Sequence, residues 1–501
     1  MSKLLACERC LLPLILLVAV AVRLPGLYGA LWFDEIITLV HSVRLPIGQL
    51  ISSYPSANHH LLYSLLANIS ISIFGETPFA LRLPAVIFGV LAVYATMVFT
   101  RLVLSAREAL VVGALLALSY HAVWFSQNAR GYTGLMFFAM TSFALFYLGW
   151  QGKSWVWPWY SVAVALGTYV QLNMIVVPAT HATILLADAL IARRLWVPAA
   201  PGARRAACGA LAAAGGLTLL LYAPALPGMM AYYLTLQPGD TGSVDPSLLI
   251  RDLVAGLGAN FILTPAILAL AMWGLIGLMD YGRRDRLVLA MLALPGMWGT
   301  LAALAIRSGA APRFFIYLLP IALILAVRGI ETSMGKWRGW VIGGLIALSA
   351  TSLYFCYRYP KQDFTGALAY VRQHAAPGAT VAAAGLAATA YRSYYAPEIA
   401  AIYTQEDYRA ALHPERETWI VLTFPRDMRA RFGGIYDALQ SDFELAATFP
   451  GTLGDGYLYV YYRPAQREAD ENSGRISSAL SVIASETNRG REGRPPAPPP
   501  G

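Results

Sequence analysis

The stretch that decides the fold is residues 79–100, FALRLPAVIFGVLAVYATMVFT, with one charged residue, Arg82. An apolar run of this length exceeds the roughly 18 residues that a helix needs to cross a bilayer. Working outward, similar runs recur near 11–29, 108–125, 133–150, 157–172, 174–191, 208–226, 262–280, 287–306, 313–330 and 339–356. The composition agrees. Of 501 residues, 57% are hydrophobic and 13% charged, where a soluble domain carries about 25% charged residues. The mean hydropathy is +0.54. The expectation is an α-helical polytopic membrane protein with about eleven transmembrane helices.

The net charge of +9 would point to nucleic acid in a soluble chain. Here Arg and Lys sit in short clusters between apolar runs, as positive-inside bias produces. No nucleic-acid partner is expected. With the N-terminus in the cytoplasm, the cytoplasmic loops hold Arg101, Arg107, Lys153, Arg193, Arg194, Arg204, Arg205, Arg283, Arg284, Arg286, Arg328, Lys336 and Arg338. The opposite loops hold few: Arg44, Arg130, Arg251, Arg307 and Arg313. An odd number of spans then places the C-terminal region outside. The chain is expected in the inner or plasma membrane, in contact with membrane lipid. Lys3, Glu8 and Arg9 before Leu11–Val22 resemble a signal peptide, but the later spans make this an uncleaved first helix. Cys7 and Cys10 have CxxC spacing without a second pair, too little for a zinc site.

The chain divides into a membrane module at 1–356 with a first external loop at 30–78, a small α/β domain at 357–463, and a polar tail at 464–501 expected to be disordered. In the external loop, Leu45–Ser53 and Leu61–Phe74 have the spacing of helices lying along the membrane surface. In the second domain, Phe364–His374 reads as a helix; Thr380–Ala384, Thr418–Thr423, Phe443–Phe449 and Tyr457–Tyr462 read as strands.

Four groups of residues could carry chemistry. Asp34 and Glu35 follow the first span in Leu31-Trp32-Phe33-Asp34-Glu35. Adjacent carboxylates beside a bilayer are costly unless paired, and a low-dielectric setting makes one a useful base; the bland alternative is solvated loop acids. Asn58, His59 and His60 lie on the same external loop and could meet a divalent ion, a phosphate or an acceptor hydroxyl, or make only interface hydrogen bonds. Ser126-Gln127-Asn128-Ala129-Arg130-Gly131-Tyr132 closes the third span on the face poor in arginine. Arg130 could pair with a phosphate or with the first-loop acids, or snorkel to headgroups. Pro312-Arg313-Phe314 enters a late span, where an arginine fork suits a phosphate. His181 and Asp188, seven residues apart on one helix face, form a weaker candidate for a proton pathway.

The ordered set resembles a family. W-x-D-E follows the first span, R-L-P (Arg82–Pro84) opens the second, S-Q-x-A-R-G-Y closes the third, and P-R-F comes late. This looks like the GT-C glycosyltransferases of family 39 type, which include protein O-mannosyltransferases and lipid A aminoarabinose transferases. The resemblance covers about residues 5–360 and implies the GT-C fold. It also implies a polyprenyl-phosphate sugar donor and inverting transfer to a lipid, glycan or protein hydroxyl on the extracytoplasmic face. On the same ground Asp34 is the catalytic residue with Glu35 in support; Arg130, with Tyr132, and Arg313 bind the substrate together with Asn58, His59 and His60. No nucleotide cofactor is implied, and a divalent cation stays open. Where family members often carry H-P-P or N-P-P, this chain has Asn58-His59-His60, which bears on acceptor geometry. Three other readings compete, one of them a non-catalytic scaffold, which would have no reason to place Asp34, Glu35, Arg130 and Arg313 on one membrane face. A transporter or flippase would carry inverted repeats and broken helices with polar groups at the midplane; an O-antigen polymerase or ligase would place its large loop late.

Overall fold

A computed structural model describes residues 2–55, 59–190, 199–235, 264–306 and 312–465. The chain forms two compact units, 1–360 and 361–501. Asn58 and Arg307 lie outside the described residues, as does the tail from 466 onward.

The first unit is helical. Among the described residues, seven helices are long and apolar enough to cross a membrane, or eight if the bent pair Ala106–Leu118 and Tyr120–Ser126 is one span. Of the other segments read as spans, Val156–Val170 and Leu318–Ser333 have 15 and 16 residues, and the first offers the short apolar helix Cys10–Ala21. The first span was expected to reach residue 29, but its helix stops at Ala21 and turns follow. The turn expected near 171–173 is a 3-10 turn, Leu172–Ile175, that joins helices Val156–Val170 and Val176–Leu190.

The bent pair turns by 57° at Ser119, whose extended backbone interrupts the helical hydrogen-bond ladder. Such a break leaves carbonyls without partners, and the buried Arg23 answers it. Arg23 donates from Nη1 to the Ala19 and Ala117 carbonyls at 2.8 and 3.1 Å, and from Nε to Ser126 Oγ at 2.9 Å. The bend delivers the segment 126–132 to the end of the helix Pro78–Val103.

Helices Thr264–Arg284 and Leu318–Ser333 pack back to back. Gly277 meets the Leu325 carbonyl and Gly329 the Trp273 carbonyl so closely that a Cβ at either glycine would overlap the neighbouring backbone. At this packed pair Arg328 binds Asp280 at 2.7 Å and Glu108 at 3.0 Å. Glu108 also forms a capping box with Ser105. His181 is buried against Phe146 and hydrogen-bonds the Tyr160 hydroxyl at 2.8 Å, and Asp188 pairs with Arg204. Each therefore has its own local partner, which is a packing role rather than a shared proton path.

The second unit is a five-stranded sheet with helices. Its strands are β1 (Thr380–Ala384), β2 (Ala400–Ile402), β3 (Thr418–Thr423), β4 (Glu444–Phe449) and β5 (Leu458–Arg463), in the order β2-β1-β3-β5-β4. β1 runs parallel to β2 and β3, with Ala382 opposite Ile420, and β5 is antiparallel to β3 and β4. The central β3 is buried throughout; its Ile420 and Leu422 pack with Met428, Ile435 and Leu439 of the helix Pro425–Asp442. The helix expected at Phe364–His374 forms.

Candidate active site

Glu35 and Arg82 organise the site. Trp32 caps a short helix, Phe33–Thr38, and Glu35 turns back to the cap, accepting from the Trp32 N–H at 3.3 Å. Its carboxylate takes both arms of Arg82, Nε to Oε1 at 2.7 Å and Nη2 to Oε2 at 2.6 Å, and accepts from the Ala129 N–H at 2.8 Å. Arg82 also donates to the carbonyls of Gly26, Leu27, Gly29 and Ala30 at 2.9–3.1 Å. Both side chains are buried, at 2% and 0% exposure. A buried ion pair survives when its geometry is good and its remaining atoms are bonded. Here one pair ties the first loop, the 78–103 helix and the segment 126–132 together.

Asp34, one residue earlier, points elsewhere. Its Oδ2 is 3.8 Å from Arg130 Nη2 and 3.8 Å from Arg313 Nη1, too far for a hydrogen bond. Among the described residues the atom is buried without a hydrogen-bond partner, as are Arg130 Nε and Nη2 and Arg313 Nε. Arg130 is fixed by one contact, Nη1 to Thr38 Oγ1 at 2.9 Å; the Thr38 hydroxyl in turn donates to the Asp34 carbonyl at 2.8 Å. Arg313 sits on a 3-10 turn, Pro312–Phe315, beside the Phe314 ring. That turn is tied in by Asn173, whose Nδ2 donates to the Phe314 carbonyl at 3.3 Å. Two guanidinium groups therefore converge on one carboxylate oxygen and keep donors to spare, an arrangement suited to an anion such as a phosphate.

The histidines lie on the other side of Arg130. His60 is buried, with Nδ1 3.1 Å from the Val170 carbonyl and its ring edge-on to Tyr132. Gly131 permits this approach, because a Cβ there would stand 3.0 Å from His60 Nδ1 and 2.7 Å from Val170. Burial first, then the nearby Arg130 charge, hold His60 well below the usual imidazole range and bring His59 down to about 4. Both rings are therefore neutral at pH 7. His41, Thr38, His59, His60, Ser64 and Arg130 face a cavity of about 220 Å³. Tyr132 packs on Phe125, and its hydroxyl has no hydrogen-bond partner among the described residues. Among the described residues, no group of three or more His, Cys, Asp or Glu is placed to hold a metal ion.

The structure thus brings Asp34, Arg130 and Arg313 together, with His59, His60 and Tyr132 adjoining through Arg130. Glu35 belongs to the brace. Sequence reasoning quoted Arg82 only as part of a motif and passed over Arg23, Thr38 and Ser64. An arginine in the first turns of an apolar helix, flanked by Pro78 and Pro84, was the available signal for Arg82, since a charge there requires a partner.

Residues 58–214 match the family model described as dolichyl-phosphate-mannose-protein mannosyltransferase. That segment holds Arg82 and Arg130 and leaves out Asp34 and Arg313. A sequence comparison with curated proteins gives no match. Among solved structures, ArnT from Cupriavidus metallidurans in the apo state superimposes with a TM-score of 0.53 at 11% identity, over 93% of this chain and 98% of that one. The same protein bound to undecaprenyl phosphate gives 0.50 at 12%, over 92% and 98%. The Archaeoglobus fulgidus oligosaccharyltransferase in complex with Zn and sulfate gives 0.53 at 12%, over 89% and 72%. This chain therefore has the fold of the GT-C membrane glycosyltransferases and resembles the O-mannosyltransferases and ArnT, as the order of its motifs implied.

Proposed function

We propose that the chain is a membrane glycosyltransferase that moves a sugar from a polyprenyl-phosphate carrier to a hydroxyl of a lipid, glycan or protein. The transfer is inverting, and the site faces the extracytoplasmic side. The observation that carries the reading is the buried Oδ2 of Asp34, held between Arg130 and Arg313 without a hydrogen bond to either. Asp34 is the general base, taking the proton from the acceptor hydroxyl as that oxygen attacks the anomeric carbon. The bond from that carbon to the carrier's phosphate oxygen breaks, and Arg130 and Arg313 receive the charge left on the phosphate. Positioned cations are worth most in a dry site, where charge develops away from water. His59, His60 and Tyr132 line the sugar's side of the site, while Glu35 and Arg82 keep Asp34 in place.

In-line displacement requires base and leaving group on opposite faces of the sugar. The ion pairs at 3.8 Å leave no room for a ring between carboxylate and guanidinium. The productive state therefore has both arginines turned from Asp34 to the phosphate. Their unused donors, Arg130 Nε and Nη2 and Arg313 Nε, are available for that exchange. Of the solved structures of this fold, one is bound to undecaprenyl phosphate and one is in complex with Zn and sulfate, which supports an anion at such a site here.

The test is transfer of radiolabel from a panel of polyprenyl-phosphate sugars to membrane extract, by the parent protein and by Asp34→Asn. A general base contributes about 10²- to 10⁴-fold, so the variant should lose that much while still binding the carrier. Equal transfer by both would remove Asp34 as the base. A folded parent that transfers from no donor would favour the transporter or polymerase readings.

A further inference from the structure

Asp34 Oδ2 and Arg130 Nη2 carry opposite charges and stand 3.8 Å apart without closing. Nearby, Glu35 and Arg82 close to 2.6 Å. Opposite charges in a buried setting attract strongly. A move of about 1 Å would bring the looser pair to the separation of a charge-assisted hydrogen bond, about 2.7–2.9 Å. Something holds the guanidinium back. The contact in place is Thr38 Oγ1, which accepts from Arg130 Nη1 at 2.9 Å. Among the described residues, Arg130 Nε and Nη2 have no hydrogen-bond partner.

The hydroxyl is itself held. It carries one proton, and Thr38 gives that proton to the Asp34 carbonyl at 2.8 Å. Its lone pairs are therefore left for the guanidinium. Helical Thr commonly returns its hydroxyl to the carbonyl four residues back, as Thr96, Thr100 and Thr180 do here. At Thr38 the same oxygen also takes an arginine. One buried hydroxyl thus ties the cation to the backbone of the residue that bears the carboxylate. The backbone changes at this point as well. The helix Phe33–Thr38 passes directly into a π-helix, Leu39–Val43, closed by the Arg44 N–H on the Leu39 carbonyl at 3.0 Å. Wide turns of this kind are rare and concentrate at functional sites.

We propose that Thr38 is a positioning residue whose hydroxyl holds Arg130 off Asp34, so that base and cation stay apart until the carrier's phosphate arrives. Anchored at Nη1, the guanidinium can turn Nε and Nη2 to the phosphate without leaving its place. Without the hydroxyl, Arg130 closes on Asp34, and both groups are lost to the reaction. The inference rests on the glycosyltransferase reading and adds the restraint on which its catalytic pair depends.

The test uses the full chain in lipid nanodiscs. It measures melting temperature, binding of undecaprenyl phosphate, and transfer from the polyprenyl-phosphate sugar that the parent uses. Thr38→Val keeps the shape and removes the hydroxyl. It should bind the carrier about tenfold more weakly and lower kcat about 10²-fold, as a misplacement of about 1 Å does. Its melting temperature should be no lower than the parent's, since the closed ion pair replaces the lost hydrogen bonds. Thr38→Ser should stay within about threefold of the parent in binding and transfer. In an Asp34→Ala background Arg130 has no carboxylate to close on, so Thr38→Val should there weaken carrier binding by less than about threefold. Binding and transfer by Thr38→Val equal to the parent's would overturn the proposal. So would a loss shared by Thr38→Ser, a drop in melting temperature alongside the loss, or a loss of carrier binding just as large in the Asp34→Ala background. A parent that binds no carrier and transfers no sugar would instead overturn the transferase reading, and the inference with it.

Discussion

Asp34 and Glu35 are neighbours in sequence and opposites in environment. Around Glu35 the ion pair is closed: two arms of Arg82 stand at 2.6 and 2.7 Å and the Ala129 N–H at 2.8 Å. Around Asp34 two arginines stand off at 3.8 Å. The cluster of Arg328, Asp280 and Glu108, closed at 2.7 and 3.0 Å, is of the Glu35 kind. The difference teaches where this fold holds rigid charge and where it holds available charge. Tight, saturated pairs fix helices to one another; the loose pair keeps hydrogen-bonding capacity for something that is not protein.

The comparison can be broken most severely at Arg82. Arg82→Ala leaves Glu35 buried and unpaired and frees four loop carbonyls, so it should cost about 3–5 kcal/mol. Thermal unfolding in nanodiscs would read this as a large fall in melting temperature, and an unchanged melt would refute the bracing role. A smaller effect should come from pH, and from the loose region. His59 has its pKa lowered to about 4 by burial and then by Arg130, against roughly 6.5 when unfolded. Between these values the unfolded chain binds the extra proton, so stability falls as pH drops from 6.5 towards 4, by about 2–3 kcal/mol at most. Melting temperatures across that range should show the slope, and His59→Asn should reduce it, leaving the share that His60, lowered by the same causes, contributes. The smallest effect is expected for Asp34→Asn, whose ion pairs lack hydrogen bonds. Its unfolding free energy should stay within about 1 kcal/mol of the parent's, although its transfer activity collapses. A loss as large as that of Arg82→Ala would erase the distinction between the two carboxylates.

Much of this was legible in the sequence because membrane helices announce themselves by length and composition. The motifs around Asp34, Arg130 and Arg313 stood at ends of apolar runs, where charge is conspicuous. The division of labour between Asp34 and Glu35 was not legible, because it depends on which carboxylate Arg82 reaches across 47 residues. Thr38 and Ser64 carry no charge and look like ordinary helix residues until their hydroxyl partners are known. In the second unit, β1 and β3 were readable as apolar runs. The three-residue β2, made of Ala400, Ala401 and Ile402, was too short to show a period. The helix Pro425–Asp442 carries an apolar face at helical spacing, Met428, Phe432, Ile435 and Leu439, among charged residues, and that pattern was available in the sequence and passed over.

The glycine crossing of helices Thr264–Arg284 and Leu318–Ser333 carries a consequence at the far end of the second helix. Gly329 is seated on the Trp273 carbonyl, and its helix begins three turns earlier at Leu318, about 16 Å along the axis, just after the Arg313 turn. The crossing is a fulcrum and the helix its arm. A tilt of about 5° at the glycines would sweep the start of that helix, which the Arg313 turn precedes, through about 1.4 Å, enough to close the guanidinium's gap to Asp34 or widen it. Where the guanidinium stands is thus decided by the absence of a side chain several turns away, and a methyl group added at Gly329 would act on the active site as leverage.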